Sequence, residues 1–156
     1  MKAPGRGSAA LVDLEGGDIV ASVDIAAPPE RVFRALSSRE IVDWWVNPGV
    51  FDTREWSGEV RVGGRWCASG IARGVPYVLE GEYLEVDPPR TLTHTWHLAG
   101  SPEAASTVRF ALAKTVHGTR LTLRHTGVKD PRFGTGAVAG WQASLARLIE
   151  SLAASA

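Results

Sequence analysis

The sequence predicts an α+β fold: one curved antiparallel sheet with a long C-terminal helix lying across it. Three observations carry that prediction. Apolar and polar residues alternate with a period of two through most of the chain, the pattern of half-buried strands. Two short helical patterns follow the first strand, and a longer one closes the chain. The connections between the later strands are hairpin-sized, so those strands pair as an antiparallel meander. The order is strand, two helices, six strands, long helix, giving a sheet of six to seven strands in 156 residues. That length suits a single domain, read here as 18–156, preceded by a Gly-, Ala- and Ser-rich flexible leader at 1–17.

In the first strand Ile19, Ala21, Val23 and Ile25 alternate with Val20, Ser22 and Asp24. Pro28 and Pro29 preset the backbone for a helix start, with Glu30 in the first turn and Val32, Phe33 and Leu36 on one face. Ser38 caps a second helix carrying Ile41, Val42, Trp44 and Trp45, which Asn47, Pro48 and Gly49 end. Strands are expected at 55–62, 64–71 and 77–86, with a bend at Gly63 and Gly64. Three more strands follow. Leu92, His94, Trp96 and Leu98 share a face of the first, Val108, Phe110 and Leu112 of the second, and Leu121, Leu123 and His125 of the third. From about Pro131 a helix places Val138, Trp141, Leu145, Leu148, Ile149 and Leu152 on one side.

Composition excludes several functions. The 17 Lys and Arg balance 17 Asp and Glu, so the clustered positive charge of a general nucleic-acid binder is missing. No apolar run is long enough to span a membrane, and no apolar segment follows Lys2 and Arg6 to make a secretory signal. A lone Cys67 supports neither an internal disulfide nor a multi-thiolate metal site. A cytoplasmic domain is expected, with a homodimer as the default oligomer. The unusual feature is tryptophan: six, against two Tyr and four Phe.

Six stretches in order resemble the SRPBCC (START/Bet v-like) superfamily, in the branch of the activator of the heat-shock-protein-90 ATPase. They are 25–36 (IAAPPERVFRAL), Trp44-Trp45, 63–66 (GGRW), 81–92 (GEYLEVDPPRTL) with Trp96, 118–127 (GTRLTLRHTG), and Gly140-Trp141 followed by Leu145. The resemblance implies the helix-grip fold, with a cavity between the concave sheet face and the long helix. Alternation alone leads to the same space, because a sheet curving away from a helix leaves an apolar pocket. Its expected ligand-binding residues are Trp45, Trp66, Tyr77, Tyr83, His94, Trp96, Phe110, His125 and Trp141. The expected ligand is a small hydrophobic or aromatic molecule, lipid-, sterol- or polyketide-like. The alternatives are a cyclase or aromatase using His94 and His125 with Tyr83 and Glu80, or a cochaperone-like module with a chaperone partner.

Each candidate also has a plainer reading. His94 and His125 fall inward, two strands apart, where an imidazole can act as acid, base or hydrogen-bond partner; either can equally be a satisfied core histidine. His97 and His117 read as surface residues. Adjacent residues on a helix point about 100° apart, so one of Trp44 and Trp45 is expected inward and the other at the opening or a partner surface. Trp56 lies on a strand whose facing the pattern leaves open. Arg31, Arg34 and Arg39 read as a solvated basic face. Gly63-Gly64 lacks the Lys and helix start of a phosphate loop and reads as a bend, while Gly134-x-Gly136 reads as a hinge into the last helix. The motifs name no metal site and no cofactor.

Overall fold

The computed structural model describes residues 11–129 and 137–155. The elements are β1 (Val12–Glu15), β2 (Asp18–Ile25), α1 (Pro29–Leu36), α2 (Ile41–Trp44), β3 (Val46–Asn47) and β4 (Phe51–Gly58). They continue through β5 (Arg65–Ala72), β6 (Val75–Asp87), β7 (Thr91–Leu98), β8 (Ser106–Lys114), β9 (Thr119–Thr126) and α3 (Ala137–Ser155). All nine strands form one antiparallel sheet in the order β1-β2-β9-β8-β7-β6-β5-β4-β3. The α+β helix-grip architecture is as the sequence predicts, with more strands than the six to seven expected.

The two added strands are the sheet's edges. Residues 12–15, read above as part of a flexible leader, pair with β2 as β1. Gly16 and Gly17 both take positive φ (61° and 91°), the two-residue turn whose twist matches a hairpin. At the other edge, α2 is a single turn. Trp45 leaves the helix at φ −80° and ψ 73°, and the chain passes at once into β3, before the Asn47-Pro48-Gly49 stop. Ser38 stabilises the turn between the helices: its hydroxyl donates to the Arg34 carbonyl at 2.7 Å and accepts from the Glu40 amide at 3.2 Å. Gly134 and Gly136 lie outside the described residues.

Alternation decides the faces. Ile19, Ala21, Val23, Ile25, Leu121, Leu123, Phe110 and Leu92 turn inward and are buried against Trp141, Leu145, Leu148 and Leu152 of α3. The convex face is a mosaic of opposite charges. Arg120 pairs with Asp24 at 2.6 Å, and Arg124 bridges Asp18 at 2.8 Å and Glu15. The basic face expected on α1 is likewise neutralised. Burial opposes ionisation of Glu40, but hydrogen bonds from Arg31 and Arg34 outweigh it and hold the carboxyl below its usual value. Exposed pairs of this kind contribute about 0–1 kcal/mol each, so the inner face carries the stability. No described helix is long and apolar enough to cross a membrane.

Candidate functional site

Three tryptophans meet at the centre of the concave side. Trp96 comes from β7, Trp141 from the first turns of α3, and Trp45 from the end of α2. Their ring centroids lie 4.9 Å (Trp45–Trp96), 4.7 Å (Trp45–Trp141) and 5.3 Å (Trp96–Trp141) apart, in edge-on and tilted arrangements. This wall divides the interior. Behind it lies an inner chamber of about 40 Å³, bounded by Leu36, Trp44, Trp56, Trp66, Tyr83, His94 and Phe110. In front lies an open groove of about 570 Å³, bounded by Phe51, Tyr77, Leu98, Ser106, His125, Val128 and Gly140. The single central cavity expected from the sequence is therefore two unequal spaces, because the indoles fill its middle.

All nine predicted residues reach the inner face, but they do not form one cluster. Trp45, Trp96 and Trp141 border both spaces. Trp66, Tyr83, His94 and Phe110 border the chamber, and Tyr77 and His125 the groove. Both Trp44 and Trp45 are buried, but Trp44 borders the chamber alone while Trp45 also borders the open groove, so the two rings divide between interior and opening as expected. The division arises because Trp45 has already left the helix. Trp44 Nε1 donates to the Ala35 carbonyl at 2.8 Å, and Trp45 swings into the wall. Trp56, unassigned from the pattern, faces the chamber in register with Ala68.

The two inward histidines differ in chemistry. An indole N–H can only donate, so Trp141 Nε1 donates to His125 Nδ1 at 2.9 Å. A neutral His125 must then carry its proton on Nε2 and donate it to Ser106 Oγ at 2.8 Å. The Ser106 hydroxyl in turn donates to the Trp96 carbonyl at 3.2 Å. Burial, reinforced by the nearness of His94, pushes His125 down to about 3. Both nitrogens are engaged, so His125 is a pin between helix and sheet. It has no lone pair to offer as a base and presents only its ring to the groove.

His94 Nδ1 donates to the Thr95 carbonyl at 3.0 Å, which leaves Nε2 as an acceptor. Burial holds this ring neutral too, lowering it to about 4 against the opposing effect of the Thr95 bond. Trp66 packs edge-on against it at 5.0 Å and shares the same carbonyl through Nε1 at 3.2 Å. Tyr83 stands perpendicular to it at 5.9 Å, and burial pushes the phenol well above its ordinary value. Glu80 does not join this group. Its carboxylate lies 3.5 Å from His97 Nδ1, so Glu80 does not join the His94, His125 and Tyr83 set that the cyclase alternative would use. His97, read as a surface residue, is half-buried at the groove rim, where Nε2 donates to the Ser101 carbonyl at 3.2 Å. Among the described residues no three metal-ligating side chains gather.

Several contributors escaped the sequence reading. Thr53 is buried and donates to the Trp45 carbonyl at 2.7 Å, while Tyr77 Oη lies 2.7 Å from Thr53 Oγ1 and 3.2 Å from the Asp52 carbonyl. This network holds the groove's far wall, and burial raises the Tyr77 phenol. Nothing local marks Thr53, which a break in the β4–β5 register beside Arg54 positions. Gly140 matters by what it lacks: a Cβ there would stand 3.3 Å from the Phe51 ring. Gly81 is tighter still, since a Cβ would fall 2.0 Å from the Thr95 carbonyl oxygen and 2.5 Å from Trp66 Nε1. Gly81→Ala is therefore expected to part β6 from β7, release the Trp66 indole and cost about 2 kcal/mol. A urea midpoint unchanged from wild type would contradict this packing.

Residues 26–153 match the family of Activator of Hsp90 ATPase homolog 1-like proteins. The chain belongs to that family. Solved structures agree on the fold. A protein of Chromobacterium violaceum is 26% identical with a TM-score of 0.77, the match covering 86% of this chain and 96% of that one. A protein of Rhodobacter sphaeroides reaches a TM-score of 0.79 at 19% identity, covering 94% and 99%. The AHSA1 protein of Silicibacter pomeroyi gives 0.73 at 24% identity, covering 89% and 99%. No curated protein matches the chain. Membership in the Activator of Hsp90 ATPase homolog 1-like family is consistent with ligand-binding or cochaperone-like roles, and the site geometry has to choose between them.

Proposed function

We propose that the elements from β1 to α3 form a single cytoplasmic domain that binds a hydrophobic, aromatic-rich small molecule in the groove in front of the tryptophan wall. One observation carries this reading: a groove of about 570 Å³ floored by Trp45, Trp96, Trp141 and Phe51. That volume is in the range of drug-sized ligand sites, and the lining combines apolar rings with polar groups, among them Tyr77, His97, Ser101, Glu103 and Lys129, that can orient a ligand. Burial of apolar ligand surface supplies the affinity, at about 25 cal/mol per Å² before binding costs. The acid–base alternative finds no support in His125, whose two nitrogens are already engaged.

Ala72 borders the groove but not the chamber, which makes it a clean place to block. A thermal-shift screen with sterols, fatty acids and polycyclic aromatics is expected to give at least one class that stabilises the protein. Ala72→Phe is expected to fill the groove and abolish that shift while the protein stays folded. A screen without any stabilising class, or an Ala72→Phe protein that binds as wild type, would refute the groove as the site.

A further inference from the structure

The polar side chains of the groove gather on one half of it. On the other half β4 to β6 contribute Phe51, Ala72, Tyr77 and Leu79. The end of β7, the β7–β8 connection and the stretch after β9 contribute His97, Ser101, Glu103, Ser106 and Lys129. These last stretches leave the sheet side by side: Thr107 pairs with Thr126, and a Cβ on Gly127 would stand 3.6 Å from the Ser106 Cα. Most of the polar groups are already committed within the protein. Tyr77 turns its hydroxyl onto Thr53 and the Asp52 carbonyl, and Ser106 lies between His125 and the Trp96 carbonyl. His97 bonds the Ser101 carbonyl and faces Glu80, while Ser101 Oγ accepts from the Glu103 amide. The two exceptions carry full charges of opposite sign. Among the described residues neither the Glu103 carboxylate nor the Lys129 ammonium makes an ion pair or a side-chain hydrogen bond, and both border the groove.

From these facts we propose that the groove's ligand is a zwitterion: an apolar ring system laid on the tryptophan wall, with a head that offers an ammonium group to Glu103 and a carboxylate to Lys129. The inference rests on the groove reading above and adds the chemistry of the ligand's polar end. A head of one charge fits worse. A lone carboxylate that meets Lys129 also meets Glu103, with Glu80 beside His97. A lone ammonium that meets Glu103 also meets Lys129. The like-charge repulsion then offsets what the opposite charge contributes. An uncharged ligand gains nothing from either residue. Only a head carrying both signs is complementary to the pair, while its ring buries apolar surface on Trp45, Trp96 and Trp141.

Four probes share an indole ring and a short carbon arm and differ in charge. L-tryptophan carries both groups, tryptamine the ammonium, indole-3-propionate the carboxylate, and 3-ethylindole neither. Each is titrated by calorimetry into the full chain at about pH 7, where both groups are ionised. Wild type is expected to bind L-tryptophan about fivefold tighter than either singly charged probe, the upper worth of one ion pair open to solvent. Lys129→Ala is expected to erase the advantage over tryptamine and keep the advantage over indole-3-propionate. Glu103→Ala is expected to do the reverse. Both side chains are exposed, so neither substitution should move the urea midpoint. Failure of L-tryptophan to outbind both singly charged probes would overturn the proposal, and so would an advantage that survives both substitutions. In either case, binding of 3-ethylindole that Ala72→Phe abolishes leaves the groove reading standing. Failure of all four probes also overturns the proposal, and the groove reading falls with it only if the wider screen finds no ligand.

Discussion

Acidification from about pH 7 to about 4.5 is expected to cost the fold about 5 kcal/mol, roughly half of it from each of two histidines that are buried uncharged. The direction follows from linkage. In the unfolded chain His94 and His125 take up protons as pH falls below 6.5, whereas the folded protein resists until about 4 and about 3. The unfolded state therefore binds more protons throughout that window. Stability is complete above about 6.5 and drains as pH falls toward the folded values. Few domains hold more than about 5–15 kcal/mol in total, so acid unfolding should begin while most surface carboxylates are still ionised. Urea midpoints across the window measure it. His94→Gln and His125→Gln should each flatten the profile by about one proton's slope. A wild-type midpoint constant between about pH 6.5 and 4.5 would mean that the imidazoles are not held neutral.

The partners that hold His125 neutral also explain how much of the site could be read from the chain. A period of two is enough to say that His94, Trp96, Phe110 and His125 point inward, and all of them do. Gly16-Gly17 between Glu15 and Asp18 was a legible hairpin signal, so β1 lay within reach of the pattern. The pairing of β2 with β9, which sets Ile19 opposite His125, joins residues about a hundred positions apart and has no local trace. The turn of Trp45 into the wall had no trace in the helical pattern, because that residue lies one position past the helix. The division into chamber and groove is a matter of volume: whether three inward indoles line a cavity or fill it depends on how closely α2 and α3 approach, and Gly140, whose added Cβ would meet Phe51 and Trp45, hints at that closeness. The neutral tautomer of His125 depended on the rotation of α3 about its axis, which periodicity fixes only to within a side chain's width.

Trp141 joins these threads, and its replacement is expected to have the largest effect of any single change. Trp141→Ala removes a buried indole, worth about 3–5 kcal/mol, and leaves His125 Nδ1 without its donor, worth about 1–3 more. A loss near 5 kcal/mol corresponds to a fall of about 10–20 °C in Tm for a domain of this size. Trp141→Phe keeps most of the ring volume and isolates the hydrogen bond, so its cost is expected nearer 2 kcal/mol. The decisive comparison is the double variant Trp141→Phe with His125→Leu. Replacing both partners by apolar groups leaves neither stranded, so the pair should be less destabilising than the sum of its single changes by about 1–2 kcal/mol. Strict additivity would show that the bond does not tie α3 to the sheet. Because the Trp141 ring borders both spaces, Trp141→Ala should also merge chamber and groove, turning a shallow site with a small recess behind it into one deep cavity. Ligands too long for the wild-type groove should then bind, in the same protein whose stability has fallen.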